Sequence, residues 1–182
     1  MASVNAAAPG VSAPRSIWGW PRCIALTTLL VGFADFIQSY FLFALAGHRP
    51  AIGVLQGPAT GVLGRAAMQG GSRTAILGTA LHFAIAFAWT AAFALVYRNQ
   101  PALRERTRTL PGLLACSAVA GVVVWLTMNW IVLRFSHAHY YSLSESYFWW
   151  LLVGHIPFVG LPLVWGISRL APDAVESRLA AT

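Results

Sequence analysis

The sequence contains no lysine and only five acidic residues, set against twelve arginines, which leaves a formal net charge of +7. Charged residues make up 9% of the chain, whereas soluble domains carry roughly 25%. So few charges exclude a water-facing surface and imply a membrane setting. Scarce acids also exclude chemistry. Glu105, Glu145, Asp173 and Glu176 lie outside the long apolar runs, so a paired-carboxylate mechanism inside them would lack its second carboxylate. Only two cysteines are present, Cys23 and Cys116, with no CxxC or Cys/His spacing to support zinc. Both read as small packing residues on the reducing side of a membrane. There is no GxGxxG, Walker loop, HExxH or GxSxG, and the chain is expected not to be an enzyme. Nucleic acid is not an expected partner either. The arginines stand singly at the ends of apolar runs, and only Arg104, Arg106 and Arg108 cluster.

What is present is hydrophobic residue, 58% of the chain, with a mean hydropathy of +0.65. It falls into four runs, 24–46, 75–97, 110–133 and 147–167. Each is long enough to cross a hydrocarbon core of roughly 30 Å as a helix. The expected fold is therefore an all-α integral membrane protein with four transmembrane helices, a four-helix bundle spanning 22–170. Residues 1–21 read as a disordered cytoplasmic tail with an interfacial collar of Trp18, Trp20 and Arg22. Residues 171–182 read as a short polar tail. The first run has Arg15 and Arg22 before it and Ala44-Leu45-Ala46 at its end, as a signal peptide would. It is about twice an ordinary signal-peptide core and carries Asp35 and Gln38, so an uncleaved span is expected.

Between the first two runs, residues 58–69 carry Ala59, Val62, Leu63, Ala66 and Ala67 on one helical face, with Thr60, Gly64 and Arg65 on another. Pro58 suits a first helical position and Gly70-Gly71 a left-handed stop. The pattern predicts a short amphipathic helix lying in the interface or dipping into it as a re-entrant piece. In the second run Ala80, Ala84, Ala88 and Ala92 recur every four residues, a strip of small residues that suits a dimer face or an internal contact equally. In the fourth, Pro157, Gly160 and Pro162 predict a kink or a loosened helix.

Four spans place both ends of the chain on one side. Eight arginines fall there (Arg15, Arg22, Arg98, Arg104, Arg106, Arg108, Arg169, Arg178) and four opposite (Arg49, Arg65, Arg73, Arg134). The positive-inside rule makes the termini cytoplasmic. Counting outward from each span's midpoint at about 1.5 Å per residue puts Asp35 roughly 0–2 Å, His155 roughly 3–5 Å, His82 roughly 6 Å and Asn129 roughly 10 Å into the same half of the bilayer. Gln38 is one turn outward of Asp35.

A carboxylate at that depth must face protein, water or a partner. These five residues form a candidate intramembrane polar site whose first role is to specify which helix faces turn inward. The alternative is a small transporter or channel moving protons or cations through the same layer, with Arg65 as a candidate entrance. A divalent metal on two His and one carboxylate, with His137 and His139 as outer ligands, and a haem between His82 and His155 are further alternatives without a specific motif. No cofactor is expected.

The runs LQGPATGVLGRAAMQGG (55–71), LHFAIAFAW (81–89), MNWIVL (128–133) and GHIPFVGLP (154–162) resemble four-span bacterial inner-membrane proteins of uncharacterised function, loosely the YagU-like set. The resemblance covers residues 24–168. It implies a four-span architecture and the bacterial inner membrane, and it brings no ligand or reaction. The lipid bilayer is the expected partner, with a second copy or another membrane protein at the alanine strip.

Overall fold

The computed structural model describes residues 19–45, 47 and 51–172. The expectations for residues 1–18, for Arg49 and for the tail from Asp173 onward, including Glu176 and Arg178, lie outside the described residues. Trp20 and Arg22, expected in a boundary collar, already belong to the first turns of a helix.

Eight α-helices make up the described chain: α1 (Gly19–Leu45), α2 (Ala51–Gln56), α3 (Thr60–Leu63), α4 (Gly71–Asn99), α5 (Pro101–Arg106), α6 (Leu110–Thr127), α7 (Ser146–His155) and α8 (Leu161–Leu170). Two of them continue through π-turns. One covers Met128–Leu133 at the end of α6, and another, Ile156–Gly160, joins α7 to α8. The result is four helices long and apolar enough to cross a membrane: Gly19–Leu45, Gly71–Asn99, Leu110–Leu133 and Ser146–Leu170.

Local chemistry sets the boundaries. Gly71 at φ +58° starts α4, and the Gln56 amide donates to the Gly71 carbonyl at 3.1 Å and to Thr74 Oγ1 at 3.0 Å. Gln100 is extended and Pro101 follows, which closes α4 and opens α5. Thr109 caps α6, its hydroxyl accepting from the Gly112 amide at 3.3 Å with Pro111 in the first turn. The loosened stretch expected around Pro157, Gly160 and Pro162 is the second π-turn. Neither proline has an N–H to continue a regular ladder, and the wider turn absorbs the mismatch.

The fourth span is the central one. Leu163, Val164 and Ile167 are at most 1% exposed. Toward the chain ends a cluster of Cys23, Ala94, Tyr97, Ile167 and Ala171 packs tightly, and Gly19 lies against Pro172, so the first and last described residues share one end of the bundle. Above it Val31, Ala86, Val124, Val159 and Leu163 form the middle. Glycine permits the close approaches. A Cβ on Gly121 would overlap the His155 backbone, and one on Gly160 would overlap the Ser117 carbonyl. Outward, Leu29, Phe33, Phe41, Ile76, Phe87, Leu114 and Val119 are exposed, an apolar belt that suits acyl chains. Ala80, Ala84, Ala88 and Ala92 are exposed as well, so the strip is not a buried packing face of the bundle.

The segment expected as one amphipathic helix over 58–69 is broken. Two 3₁₀ stretches, Gly57–Ala59 and Gly64–Gln69, flank α3, and the break falls at Gly64, φ +59°, a conformation that disrupts a continuous helix. Ala59 and Ala67 are buried while Val62 and Leu63 are exposed, so the anticipated single face is split. The segment leans on α4 where Gly78 lets the Leu55 carbonyl approach.

Candidate functional site

The bundle is packed at the end shared by the first and last described residues and hollow at the other. A chamber of about 440 Å³ opens among the spans, roofed by residues of the 53–68 segment and of the 134–145 loop. Its volume is within the range of small-molecule sites, roughly 300–1,000 Å³. Val31, Asp35, Phe36 and Ser39 of α1 line it, with His82, Ala86 and Trp89 of α4, Trp125 of α6 and Leu151 and His155 of α7.

Asp35 and His82 meet on one wall. The imidazole Nδ1 lies 3.9 Å from a carboxylate oxygen of Asp35, too far for a hydrogen bond but close enough for a charge interaction. Its Nε2 is 2.9 Å from the Gly32 carbonyl, which only accepts, so Nε2 carries the hydrogen. In the neutral ring Nδ1 is then an acceptor facing another acceptor. Phe36 stacks on the ring at 3.9 Å between centroids and fixes its plane. The Asp35 side chain keeps 23% of its surface exposed.

Gln38, one turn along α1, turns the other way, to α7. Its amide donates to the Leu151 carbonyl at 3.3 Å and lies 3.3 Å from His155 Nδ1, which is itself 2.8 Å from the same carbonyl. Gly154 makes room for the Gln38 side chain, since a Cβ there would overlap the amide. Gln38 Oε1 and the indole N–H of Trp125 are buried without a hydrogen-bond partner among the described residues.

Asn129 belongs to neither pair. It is fully buried, and its side chain donates to the Tyr141 carbonyl and accepts from the Tyr141 amide, both at 2.8 Å. It clamps the 134–145 loop onto the end of the third span. A second tie, from the His137 amide to the Gly61 carbonyl at 3.0 Å, joins that loop to the 53–68 segment. Arg65 is exposed and outside the chamber lining; the roof residues are Pro58, Thr60, Gly61, Ser136, Ala138 and His139. Of the five polar residues read from the sequence, the structure therefore joins Asp35 to His82 and Gln38 to His155, and it sets Asn129 apart.

The loop's electrostatics are local. Glu145 accepts from the Ser142 amide at 2.8 Å and pairs with His139 at 2.9 Å, and these bonds hold its carboxyl down at about 2. Burial pushes the Tyr141 phenol up to about 12, with smaller contributions from Tyr147 and Glu145. Among the described residues no three His, Cys, Asp or Glu side chains gather closely enough to hold a metal ion.

Sequence reading alone missed the aromatic wall, which includes Trp125, Tyr141 and Tyr147. The density of aromatic residues in YYSLSESYFWW (140–150) was its only signal. No protein family, no curated protein and no solved structure matches the chain, so the site is read from its own geometry.

Proposed function

We propose that the chain is a non-enzymatic, multi-pass protein of the bacterial inner membrane, with cytoplasmic termini and a ligand-binding chamber open toward the opposite face. The polar residues divide between two tasks. Gln38 with His155, and Asn129 with Tyr141, fix helix and loop positions; Asp35 with His82 serves the chamber. The observation that carries the reading is the place of Asp35. It is the single acidic residue within the four spans, and it sits on the wall of the chamber instead of being enclosed by partners. The arginine distribution supports the orientation; the outward alanine strip offers a face to a second copy or another membrane protein.

Cysteine labelling tests the reading. In a background with Cys23 and Cys116 replaced by alanine, Ser39→Cys is expected to react in intact spheroplasts with a membrane-impermeant maleimide, while Val164→Cys stays unreactive. Unreactive Ser39→Cys sinks the open chamber, and reaction only from the cytoplasmic side reverses the orientation.

Movement of protons or cations through the chamber is a second reading, favoured by the π-turn Ile156–Gly160. That turn contributes Val159 to the chamber wall and joins α8, which plugs the opposite end. Proteoliposome flux of wild type against Asp35→Asn decides it, and equal flux rules Asp35 out as the carrier.

A further inference from the structure

We infer that the chamber's ligand is a protonated amine carried on a small aromatic or aliphatic body, with the ammonium seated between Asp35 and His82; this rests on the chamber reading above.

The first argument is charge. Among the described residues no arginine lines the chamber, and Asp35 is its one formally charged side chain when the histidines are neutral. An anion would meet the Asp35 carboxylate there and no guanidinium from the described residues.

The second argument is the sense of the hydrogen bonds. The Nε2 hydrogen of His82 is engaged by the Gly32 carbonyl. In the neutral ring its Nδ1 is therefore left as an acceptor for other partners. Asp35 adds carboxylate oxygens that only accept. With a neutral imidazole, Asp35 and His82 Nδ1 are two acceptors facing each other at 3.9 Å, and neither completes a hydrogen bond with the other. An ammonium has three hydrogens and no acceptor. Placed beside the gap at ordinary hydrogen-bond lengths, it donates to both groups at once and answers the carboxylate's charge. A carboxylate ligand would meet the Asp35 charge on this wall and no countercharge.

The third argument is the rest of the lining. Phe36, Phe43, Trp89, Trp125 and Tyr147 present ring surface, and the chamber is about 440 Å³ in volume. Apolar walls bury the body of the ligand, and aromatic faces attract a cation as well as hydrocarbon. A bare metal ion would leave those walls uncovered and would lack ligands, since no three His, Cys, Asp or Glu side chains converge among the described residues.

The experiment is a charge series on the purified full chain in detergent, followed by isothermal titration against protein-free micelle blanks. Phenethylamine, which keeps its proton at about pH 7, is compared with propylbenzene, where a methyl replaces the ammonium, and with hydrocinnamate, where a carboxylate does. Phenethylamine is expected to bind at least about tenfold more tightly than either. Asp35→Asn is expected to remove that preference. Phenethyltrimethylammonium, which has the charge but no N–H, is expected to bind more weakly than phenethylamine.

Equal binding of phenethylamine and propylbenzene, or tighter binding of hydrocinnamate, overturns the amine assignment and leaves the chamber reading standing. Persistence of the preference in Asp35→Asn overturns the assignment too. Failure of all the compounds to bind wild type overturns the chamber reading itself, and the inference with it. The wild-type series alone decides the case if Asp35→Asn does not fold.

Discussion

Asp35 on α1 and His82 on α4 face each other at 3.9 Å, with the far nitrogen of the imidazole already bonded to the Gly32 carbonyl at 2.9 Å. The pair links two spans while leaving its carboxylate on a chamber wall, so it adds little to stability. Asp35→Asn is expected to unfold within about 1 kcal/mol of wild type, because an amide at this place donates to the ring nitrogen and removes a charge that hydrocarbon disfavours. A double-mutant cycle with His82→Ala should return a coupling near 0.6 kcal/mol, as is common for polar pairs between membrane helices. Thermal unfolding in detergent measures both. A loss of several kcal/mol in Asp35→Asn would mean that the carboxylate is a buried structural ion, contrary to the chamber reading.

Asn129 is expected to be the most costly polar residue to remove. Its amide makes two 2.8 Å bonds to the backbone of Tyr141 from a fully buried position. Asn129→Ala strands a buried N–H and C=O, at about 1–3 kcal/mol for each unsatisfied group. The loss should concentrate in the 134–145 loop, so hydrogen exchange at the Tyr141 amide should accelerate more than exchange in α8. Uniform acceleration across both would contradict a local clamp.

How much of this could be read from residues alone depends on how local each cause is. Four long helices were legible because runs of more than twenty apolar residues, long enough to cross a bilayer, satisfy their backbone groups most simply as helices. Pro157, Gly160 and Pro162 marked the loosened fourth helix for the same reason: the missing donors are a property of the residues themselves. The π-turn at Met128–Leu133 had no such mark, since neither Pro nor Gly occurs in it. Periodicity over 58–69 pointed to one helix, yet a single glycine, Gly64, adopted a positive φ and split the face. Depth counting grouped Asp35, Gln38, His82, Asn129 and His155 without separating them into pairs. The partner of Asn129 is backbone, which no tally of polar side chains contains. The chamber is a property of helix divergence, so its aromatic wall emerged only in three dimensions.

Glycine contacts set a sharper test of the packing. A side-chain carbon on Gly121 would overlap the His155 backbone, and neither partner is a flexible side-chain tip that yields cheaply. Gly121→Ala is expected to lower stability by about 1–3 kcal/mol, the usual range for overpacking. Gly57→Ala, which meets nothing nearby, should be neutral by comparison. The two substitutions add the same methyl group, so the difference in detergent melting temperature isolates the α6 contact with the fourth span. Similar losses from both would remove the close approach as the cause.

The roof of the chamber should carry its own pH dependence. Glu145 has its carboxyl held down at about 2, first by the Ser142 amide and then by His139, against an ordinary value of 4.5. A depressed folded value means that the ionised carboxylate stabilises the turn. That contribution is complete above about 4.5 and is lost as pH falls toward about 2. Protection of the Ser142 amide against hydrogen exchange, corrected for intrinsic rates, should therefore hold through the mildly acidic range and collapse only in strong acid. In Glu145→Gln the amide loses its charged acceptor, so protection should start lower and stay flat with pH. The carboxyl is exposed, so the effect is confined to the 142–145 turn and should leave global melting unchanged. A protection midpoint near the ordinary carboxylate value would show that the Ser142 and His139 bonds are too weak to hold the loop over the chamber.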